Sequence, residues 1–420
     1  MEENLRQIQE FSRHARPDVR LEAVKIWSGL SLDAQSHPFF TKLKIGNDLV
    51  RLLSDSNGEI VKHSATTLVN LSTNPNFVDY FLGTNKSSLE VIIKEIRSSG
   101  NSQKDLLIKI LVNCTREAIG RTIVLQENTP LFGLNVVRLL HMLESIDIKN
   151  SQQISTYHHL PYIIVNLCQE RMGRQLLMEP NRRLLLKYVI PYMDYNINYD
   201  AFEPNAPIKQ QYQIFHQGIW DIVRNCCFAI NEKPDEKFMR QWWKNKVQVQ
   251  SNETNGDDND DNDNDNDNDD TNDISSADLE LRIGEYFCDL FCFEENLLLY
   301  EILNPLLGGI YSYRNSIRQA LPARLQTRYM KLNKARFDSE WIRKCSLQCL
   351  GLLISVKKSL VGESFASVFV QHLLVQNLLL PKLLKEYEMW EPKEDLARLS
   401  KKIRKSLLRS SQVLFFLFFC

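Results

Sequence analysis

Between Glu59 and Ser72 the apolar positions are spaced as they are along one face of an amphipathic helix. The apolar and small residues recur there at spacings of three and four, at Ile60, Val61, Ser64, Ala65, Leu68 and Leu71. A run of turn-forming residues, Ser54 to Gly58, comes directly before them. The pattern therefore predicts a helix over 59–72 with one buried face.

The end of this helix recurs along the chain. Leu68-Val69-Asn70-Leu71 returns as Leu111-Val112-Asn113-Cys114, as Ile164-Val165-Asn166-Leu167 and, more loosely, as Val223-Arg224-Asn225-Cys226. The asparagines are 43, 53 and 59 residues apart. A period near 40 with loop insertions is typical of armadillo and HEAT repeats. We therefore predict an all-α fold, an armadillo/HEAT-like right-handed superhelical solenoid of stacked helical repeats.

The segment that follows the asparagine is also repeated. Gly120-Arg121 and Gly173-Arg174 each begin seven residues after their asparagine and lead into an apolar stretch. Two successive units thus share specific residues as well as hydrophobicity.

The predicted array is interrupted once. Residues 1–248 are assigned to armadillo-like repeats, and 277–408 to a continuation that includes helices over about 365–388 and 392–408. The Asp/Asn-rich insert between them, 249–276, contains a single aliphatic side chain from residue 250 onward, which is too little burial to offset the entropy of ordering. We therefore expect the insert to be disordered. The apolar tail, 409–420, is too short to cross a bilayer, and the sequence leaves open whether it docks on the last helix or is exposed.

Charge is distributed unevenly along the chain. The stretch from Glu253 to Asp273 holds eleven acids and no base, and because the whole chain carries −1, the remainder carries about +10. A basic body could attract nucleic acid or an acidic partner, or its charge could be spread around a large helical surface.

The compartment is predicted to be the cytoplasm. The first residues lack the apolar run of a signal peptide, and no stretch reaches the length of a membrane span. Nine cysteines, an odd number, are then expected to be reduced thiols.

Candidate metal sites fail at their defining positions. A calcium loop beginning at Asp263 would need Gly at its sixth position and Glu at its twelfth, where the chain has Asn268 and Ile274. Two cysteine pairs, Cys288/Cys292 and Cys345/Cys349, are each one helical turn apart, but apolar neighbours favour buried thiols over zinc ligands.

No catalytic constellation is recognisable. His158 and His159 are adjacent, yet no nucleophile or paired carboxylate accompanies them in a known motif. A phosphate-binding loop is missing too, since Gly308-Gly309 lacks the Lys-Ser/Thr that such a loop requires. We predict that the chain is not an enzyme and uses no cofactor or metal.

The repeated asparagines are the candidate binding residues. In stacked helices they would form a ladder, and a partner-binding groove is predicted at Asn70, Asn113, Asn166, Arg224 and Asn225. The alternative is structural, with each asparagine capping its helix or tying adjacent repeats together. The sequence leaves both possibilities open.

Several segments resemble the HGH protein family, also called the brain-protein-sixteen family. They are His159-Leu160-Pro161 through Met178-Glu179-Pro180, Val223-Arg224-Asn225-Cys226-Cys227-Phe228, Leu321-Pro322-Ala323-Arg324-Leu325-Gln326, and Trp390-Glu391-Pro392. The Arg-Asn-Cys-Cys-Phe and Trp-Glu-Pro pieces are the most specific. The acidic insert and the apolar tail depart from the family pattern.

The resemblance implies an armadillo-like cochaperone that helps newly made translation elongation factor 2 to fold and bridges it to the cytosolic chaperonin. Membrane binding is not expected, and nucleic acid is not the expected partner. The alternative is a nuclear-import or ribosome/RNA-associated armadillo scaffold. Import adaptors resemble one another in placing a Trp four residues before each groove asparagine, where this chain has Thr66, Lys109, Tyr162 and Asp221.

Overall fold

The computed structural model describes residues 2–126, 129–179, 182–193, 202–203, 206–254, 274–283, 285–286, 302, 306, 340–355 and 380–418. Every regular element within these ranges is helical, which confirms the predicted all-α class. The α-helices are α1 Glu2–Ser12, α2 Pro17–Leu30, α3 His37–Lys42, α4 Ile45–Leu52, α5 Gly58–Ser72, α6 Pro75–Thr84, α7 Ser88–Arg97, α8 Lys104–Arg116, α9 Ala118–Leu125, α10 Leu134–Glu144, α11 Ser151–Tyr157, α12 Leu160–Leu167, α13 Arg171–Met178, α14 Ile190–Met193, α15 Pro207–Cys227, α16 Glu236–Thr254, α17 Ser276–Leu281, α18 Glu340–Leu353, α19 Leu380–Trp390 and α20 Glu394–Phe418. Short 3-10 turns lie at Ala34–Ser36 and Phe228–Asn231, and a π-helical turn lies at Leu185–Val189.

The chain forms two compact units. The first comprises Met1–Gly173 and Phe202–Ile222, and the second comprises Arg174–Ala201 and Val223–Cys420.

The first unit is built from three rows of helices. In the principal row α2 packs on α5, α5 on α8, and α8 on α12. A second row runs from α1 through α4 and α7 to α10, and a third from α3 through α6 to α9. Each row takes one helix from each successive repeat, which is the armadillo arrangement that the sequence predicts.

Helix α5 shows why the repeat folds. The Asn57 side chain accepts a hydrogen bond from the Glu59 backbone N–H at 3.0 Å and so caps the helix start. The residues of its predicted stripe, from Ile60 to Leu71, are buried. Burying one large aliphatic side chain of this kind contributes about 1.5–3 kcal/mol.

The repeated Gly-Arg pair serves helix packing. A Cβ added at Gly120 would lie 2.0 Å from the Cys114 carbonyl oxygen, and one at Gly173 would lie 2.1 Å from that of Leu167. Only glycine permits this approach, because real Cβ contacts are not that short.

The arginine after the first of these glycines caps the preceding helix. Arg121 donates to the carbonyl oxygens of Thr115 and Arg116 at 3.3 and 2.6 Å, and its Nε donates to Glu170 at 2.6 Å. Cations at helix C-termini are favourable because the carbonyls there lack intrahelical partners. One side chain therefore closes a helix end and ties it to the next repeat.

Arg20, on α2 near the start of the first unit, makes a similar set of contacts. It donates to the carbonyl oxygens of His14 and Ala15 at 3.0 and 2.7 Å and to the Asp55 carboxylate at 2.9 Å. The Arg-to-acid contact is thus a recurrent tie between neighbouring repeats of the first unit.

The second unit contains α16 to α20. Helices α18 and α19 both pack on α20, which runs to Phe418 and so past the end predicted near residue 408. At this junction the Arg343 guanidinium donates to Glu391 at 2.7 and 3.0 Å, and both side chains are buried. The Trp-Glu-Pro piece noted in the sequence therefore supplies the acid of a buried ion pair.

Candidate partner-binding face

The asparagines of the first unit connect neighbouring helices of the principal row. The Asn70 amide donates to the Ser31 hydroxyl at 2.9 Å, and that of Asn113 donates to the Ser72 hydroxyl at 3.0 Å. Asn166 donates to the Thr115 hydroxyl at 3.0 Å. We call Asn70, Asn113 and Asn166 the asparagine ladder.

The hydroxyls that accept these bonds also donate. Ser31, Ser72 and Thr115 donate to the carbonyl oxygens of Ser28, Val69 and Leu111 at 2.8, 3.0 and 2.8 Å. Each asparagine amide is thereby linked through a hydroxyl to the last turn of the preceding helix in the row. These are the contacts of the structural alternative, in which asparagine ties adjacent repeats together.

Two ladder members make a second contact of the same kind. Asn113 donates to the Val69 carbonyl oxygen at 3.4 Å, and Asn166 donates to that of Val112 at 3.0 Å. Asn166 is the most enclosed of the three, with only 7% of its surface exposed. The ladder amides are thus committed to the repeat stack, and the prediction that they bind a partner stays a prediction.

The remaining two candidate residues belong to the second unit. Arg224 and Asn225 lie in the last turn of α15 and are partly exposed. Arg224 contacts the Gln348 amide oxygen of α18 at 3.5 Å.

The principal row has a solvent-facing stripe beside the ladder. On α5 the stripe is Lys62, Thr66 and Val69, and the matching residues of the neighbouring helices are half-exposed or exposed: Lys25 and Ser28 on α2, Asp105, Lys109 and Val112 on α8, and Tyr162 and Val165 on α12. These residues follow one another at spacings of three and four, so each set lies on one side of its helix. We call this surface the outer face.

Ion pairs recur on the outer face. Lys25 pairs with Glu22 at 2.8 Å, Lys62 with Glu59 at 3.6 Å, and Lys109 with Asp105 at 3.8 Å. Pairs this exposed contribute little stability, about 0–1 kcal/mol each, because water screens them. Their charges are therefore available to a partner at small cost to the fold.

His158 and His159 lie beside the outer face and are held neutral. Burial is the main cause that lowers the pKa of both rings, and Lys109 lowers both further. For His159 the pKa falls to about 4, with the neighbouring His158 as the second cause. The His158 Nδ1 lies 2.9 Å from the Ser155 carbonyl oxygen and 3.2 Å from that of Ile154, so it carries the proton and donates.

The other candidate groups are structural or outside the described ranges. Cys345 and Cys349 are buried thiols, as the sequence favours. Within the described part of the chain, no three His, Cys, Asp or Glu residues are grouped to hold a metal ion. Residues 255–273 of the predicted disordered insert, the calcium-loop candidate up to the residue before Ile274, Cys288/Cys292 and Gly308-Gly309 lie outside the described residues. The first residues of that insert, 249–254, continue helix α16.

No described helix combines the length and apolarity needed to cross a membrane.

Sequence reasoning missed the outer face. Its signal was present, since an acid precedes a lysine by three or four residues at Glu22/Lys25, Glu59/Lys62 and Asp105/Lys109. The Asn-x-Ser/Thr pattern at Asn70 and Asn113 is likewise explained, because the hydroxyl two residues later accepts the next ladder bond.

Comparison with known sequences gives one informative match. The chain is 20% identical over 220 residues to "Protein HGH1 homolog" of Dictyostelium discoideum, an alignment that spans 52% of this chain and 57% of that protein. This match confirms the HGH resemblance. The similarity therefore supports membership of the HGH1 family, although the aligned region spans little more than half of the relative, and no family model matches the chain.

Comparison with solved structures finds matches of low similarity. An engineered protein covers 96% of this chain and 98% of its own length with a TM-score of 0.41 and 10% identity. A second match comes from a study of a phosphorylation switch that controls the interaction between cadherin and beta-catenin. The match covers 98% of this chain and 65% of the other chain, with a TM-score of 0.43 and 12% identity. The fold assignment given above rests on the helix rows themselves.

Proposed function

We propose that this chain is a cochaperone of the cytoplasm that binds newly made translation elongation factor 2 and aids its folding with the cytosolic chaperonin. It acts by holding and not by catalysis, and it needs no cofactor. The match to the HGH1 homologue carries the proposal, because it supports the family whose resemblance implies this role. The armadillo stack is a suitable scaffold, since stacked repeats present an extended surface.

The outer face is the part of the first unit that suits a partly folded client. Helices α2, α5 and α8 each carry a lysine and an acid paired along this side, so the face can meet either sign of charge on a polypeptide. The half-exposed Val69, Val112 and Val165 add apolar contact along the same side. Such a surface binds through many weak contacts, which the client loses when folding buries its own apolar groups.

The first experiment is affinity capture from cytosol together with a refolding assay of elongation factor 2. We expect wild-type protein to enrich elongation factor 2 and chaperonin subunits and to raise the refolding yield. The proposal is wrong if the purified protein neither associates with elongation factor 2 nor changes that yield. Enrichment of importins or of RNA in their place would favour the alternative scaffold role.

A pair of charge-reversal variants locates the surface. The test variant changes Lys25, Lys62 and Lys109 to Glu, and the matched control changes the lysines 86, 94 and 149, which are exposed on other parts of the first unit. Both variants alter net charge by the same amount. If the outer face holds the client, the test variant loses capture and the control keeps it, whereas equal binding by both excludes this face without excluding the function.

A further inference from the structure

The first helix of the principal row has one side that no other helix of the row covers. Helix α2 packs on α5 alone in this row, whereas α5 and α8 each have a row neighbour on both sides. Ser31 and Ser72 both accept a ladder bond from the next helix, so the ends of α2 and α5 align. Gly29 then stands at the position of Asn70, which faces the preceding helix. A Cβ added at Gly29 would meet no atom within 4 Å, so this side of α2 is open.

The stacking positions on the open side of α2 are apolar. Ile26 is 46% exposed, and it corresponds to Thr67 of α5, which is fully buried. Leu30 is half-buried, and it corresponds to Leu71, which is also fully buried. Positions that α5 buries against its preceding neighbour are therefore uncovered in α2.

A further apolar side chain lies at the same end of the first unit. Gln9 of α1 donates to Asp48 of α4 at 2.7 Å, and α4 is the next helix of the second row. Phe11 is two residues from Gln9, which is about 200° around the helix, so it points away from α4. It is 51% exposed. Grouped exposed apolar side chains mark interaction sites, and we call Phe11, Ile26 and Leu30 the open-end patch.

The charges around the open-end patch leave an excess of acid. Each of the five Lys and Arg side chains among residues 1–33 has an acidic partner. Glu3, Glu10 and Asp33 are exposed and pair with no base of the described ranges, and Glu10 directly precedes Phe11. A second copy of the chain would bring these acids together, which like-charge repulsion opposes. A partner that carries lysine or arginine would neutralise them.

We propose that the open-end patch is a docking surface for a basic amphipathic helix of a partner protein, which adds one helix to the principal row. Its apolar stripe covers Ile26 and Leu30 as α2 itself covers α5, a common mode of helix recognition. Its flanking Lys or Arg side chains meet Glu10 and Asp33. Gly29 permits a close approach of the two backbones, because it has no side chain. The surface is distinct from the outer face, and the inference does not depend on the proposed function.

The test uses two synthetic helical peptides and the full chain. One peptide has leucine on one face and lysine on the other, and the second has glutamate in place of lysine. Fluorescence anisotropy should show saturable binding of the lysine peptide, about tenfold or more tighter than that of the glutamate peptide. Hydrogen exchange should show protection of residues 17–33 when the lysine peptide is bound.

Matched variants locate the contact. Ile26→Ser and Phe11→Ser should each weaken binding of the lysine peptide about tenfold, because each removes a large apolar side chain from the contact. Leu131→Ser is the control, since Leu131 is 53% exposed elsewhere in the first unit, and it should bind like wild type. Glu10→Gln should weaken binding and reduce its dependence on salt, whereas Glu90→Gln, exposed on α7, should do neither.

Three results would overturn the proposal. They are equal binding by Ile26→Ser and Leu131→Ser, binding of the glutamate peptide as tight as that of the lysine peptide, and protection by hydrogen exchange outside residues 17–33 only. A dimer in analytical ultracentrifugation that Ile26→Ser abolishes would also overturn it, because a second copy would then cover the patch. If circular dichroism shows that Ile26→Ser loses its fold, Phe11→Ser and the exchange map of the wild-type chain decide.

Discussion

Replacing Asn166 by alanine should destabilise the first unit by about 2 kcal/mol. The Asn166 amide donates to the Val112 carbonyl oxygen and to the Thr115 hydroxyl, each at 3.0 Å. A neutral hydrogen bond is worth about 1 kcal/mol net, and the lost amide volume adds a small cavity. The higher helix propensity of alanine offsets roughly 0.5 kcal/mol of this loss in the free energy of unfolding.

Neither group that loses the Asn166 amide is left without a hydrogen bond. The Val112 carbonyl oxygen still accepts from the Thr115 hydroxyl at 3.1 Å, and that hydroxyl also donates to Leu111 at 2.8 Å, so the penalty of an orphaned buried group does not apply. Because each single variant removes the same Asn166–Thr115 bond, the double variant with Thr115→Val should cost about 1 kcal/mol less than the sum of the two single variants.

Hydrogen exchange followed by mass spectrometry measures the effect where it occurs. The opening free energies of amides in α8 and α12 should fall in Asn166→Ala, and urea unfolding should shift in parallel. Asn76→Ala is the matched control, since Asn76 is exposed on α6. The reasoning fails if Asn166→Ala behaves like this control, or if the double variant costs the full sum.

Three further changes test the packing and the electrostatics. Gly120→Ala should cost about 2–4 kcal/mol in urea unfolding, because its Cβ would lie 2.0 Å from a carbonyl oxygen, whereas Gly29→Ala, with nothing within 4 Å, should be near neutral or stabilising. Glu391→Ala should cost about 3–5 kcal/mol by leaving a buried guanidinium without its acid, while Glu394→Ala on an exposed pair should change stability by less than about 0.5 kcal/mol. His159 has a folded pKa of about 4, below its unfolded value, so its contribution is complete above about pH 6.5 and is lost as pH falls toward 4. Partial exposure limits the loss to roughly 2 kcal/mol, and His159→Gln should flatten the dependence of the urea midpoint on pH over that range.

A helix could be predicted where its apolar stripe and its capping residue lie in one short stretch of sequence. Helix α5 was expected over 59–72 and forms over Gly58–Ser72, because its apolar stripe and the capping Asn57 are contiguous. The repeated Val-Asn ending likewise revealed the principal row, since a repeated helix end marks a repeated stacking contact.

Long-range partners were not predictable, because the sequence does not give the register between helices. The hydroxyls that accept the ladder bonds are 39 to 51 residues from their asparagines. The buried acid Glu391 is 48 residues from Arg343, and neither residue is distinctive alone. The pairing of two polar side chains across a core depends on how the helices stack, which local pattern does not encode.

The ladder changes where a partner should be sought. An asparagine that donates both protons to the neighbouring helix, as Asn166 does, has none left for a client backbone. The outer face has the opposite property, since its ion pairs contribute little to the fold and can be exchanged for contacts with a client. Ladder variants should therefore lower stability with little effect on affinity per folded molecule, and the Lys25/Lys62/Lys109 variant should lower affinity with little effect on stability. A ladder variant that stays fully folded and loses the client would return the binding role to the asparagines.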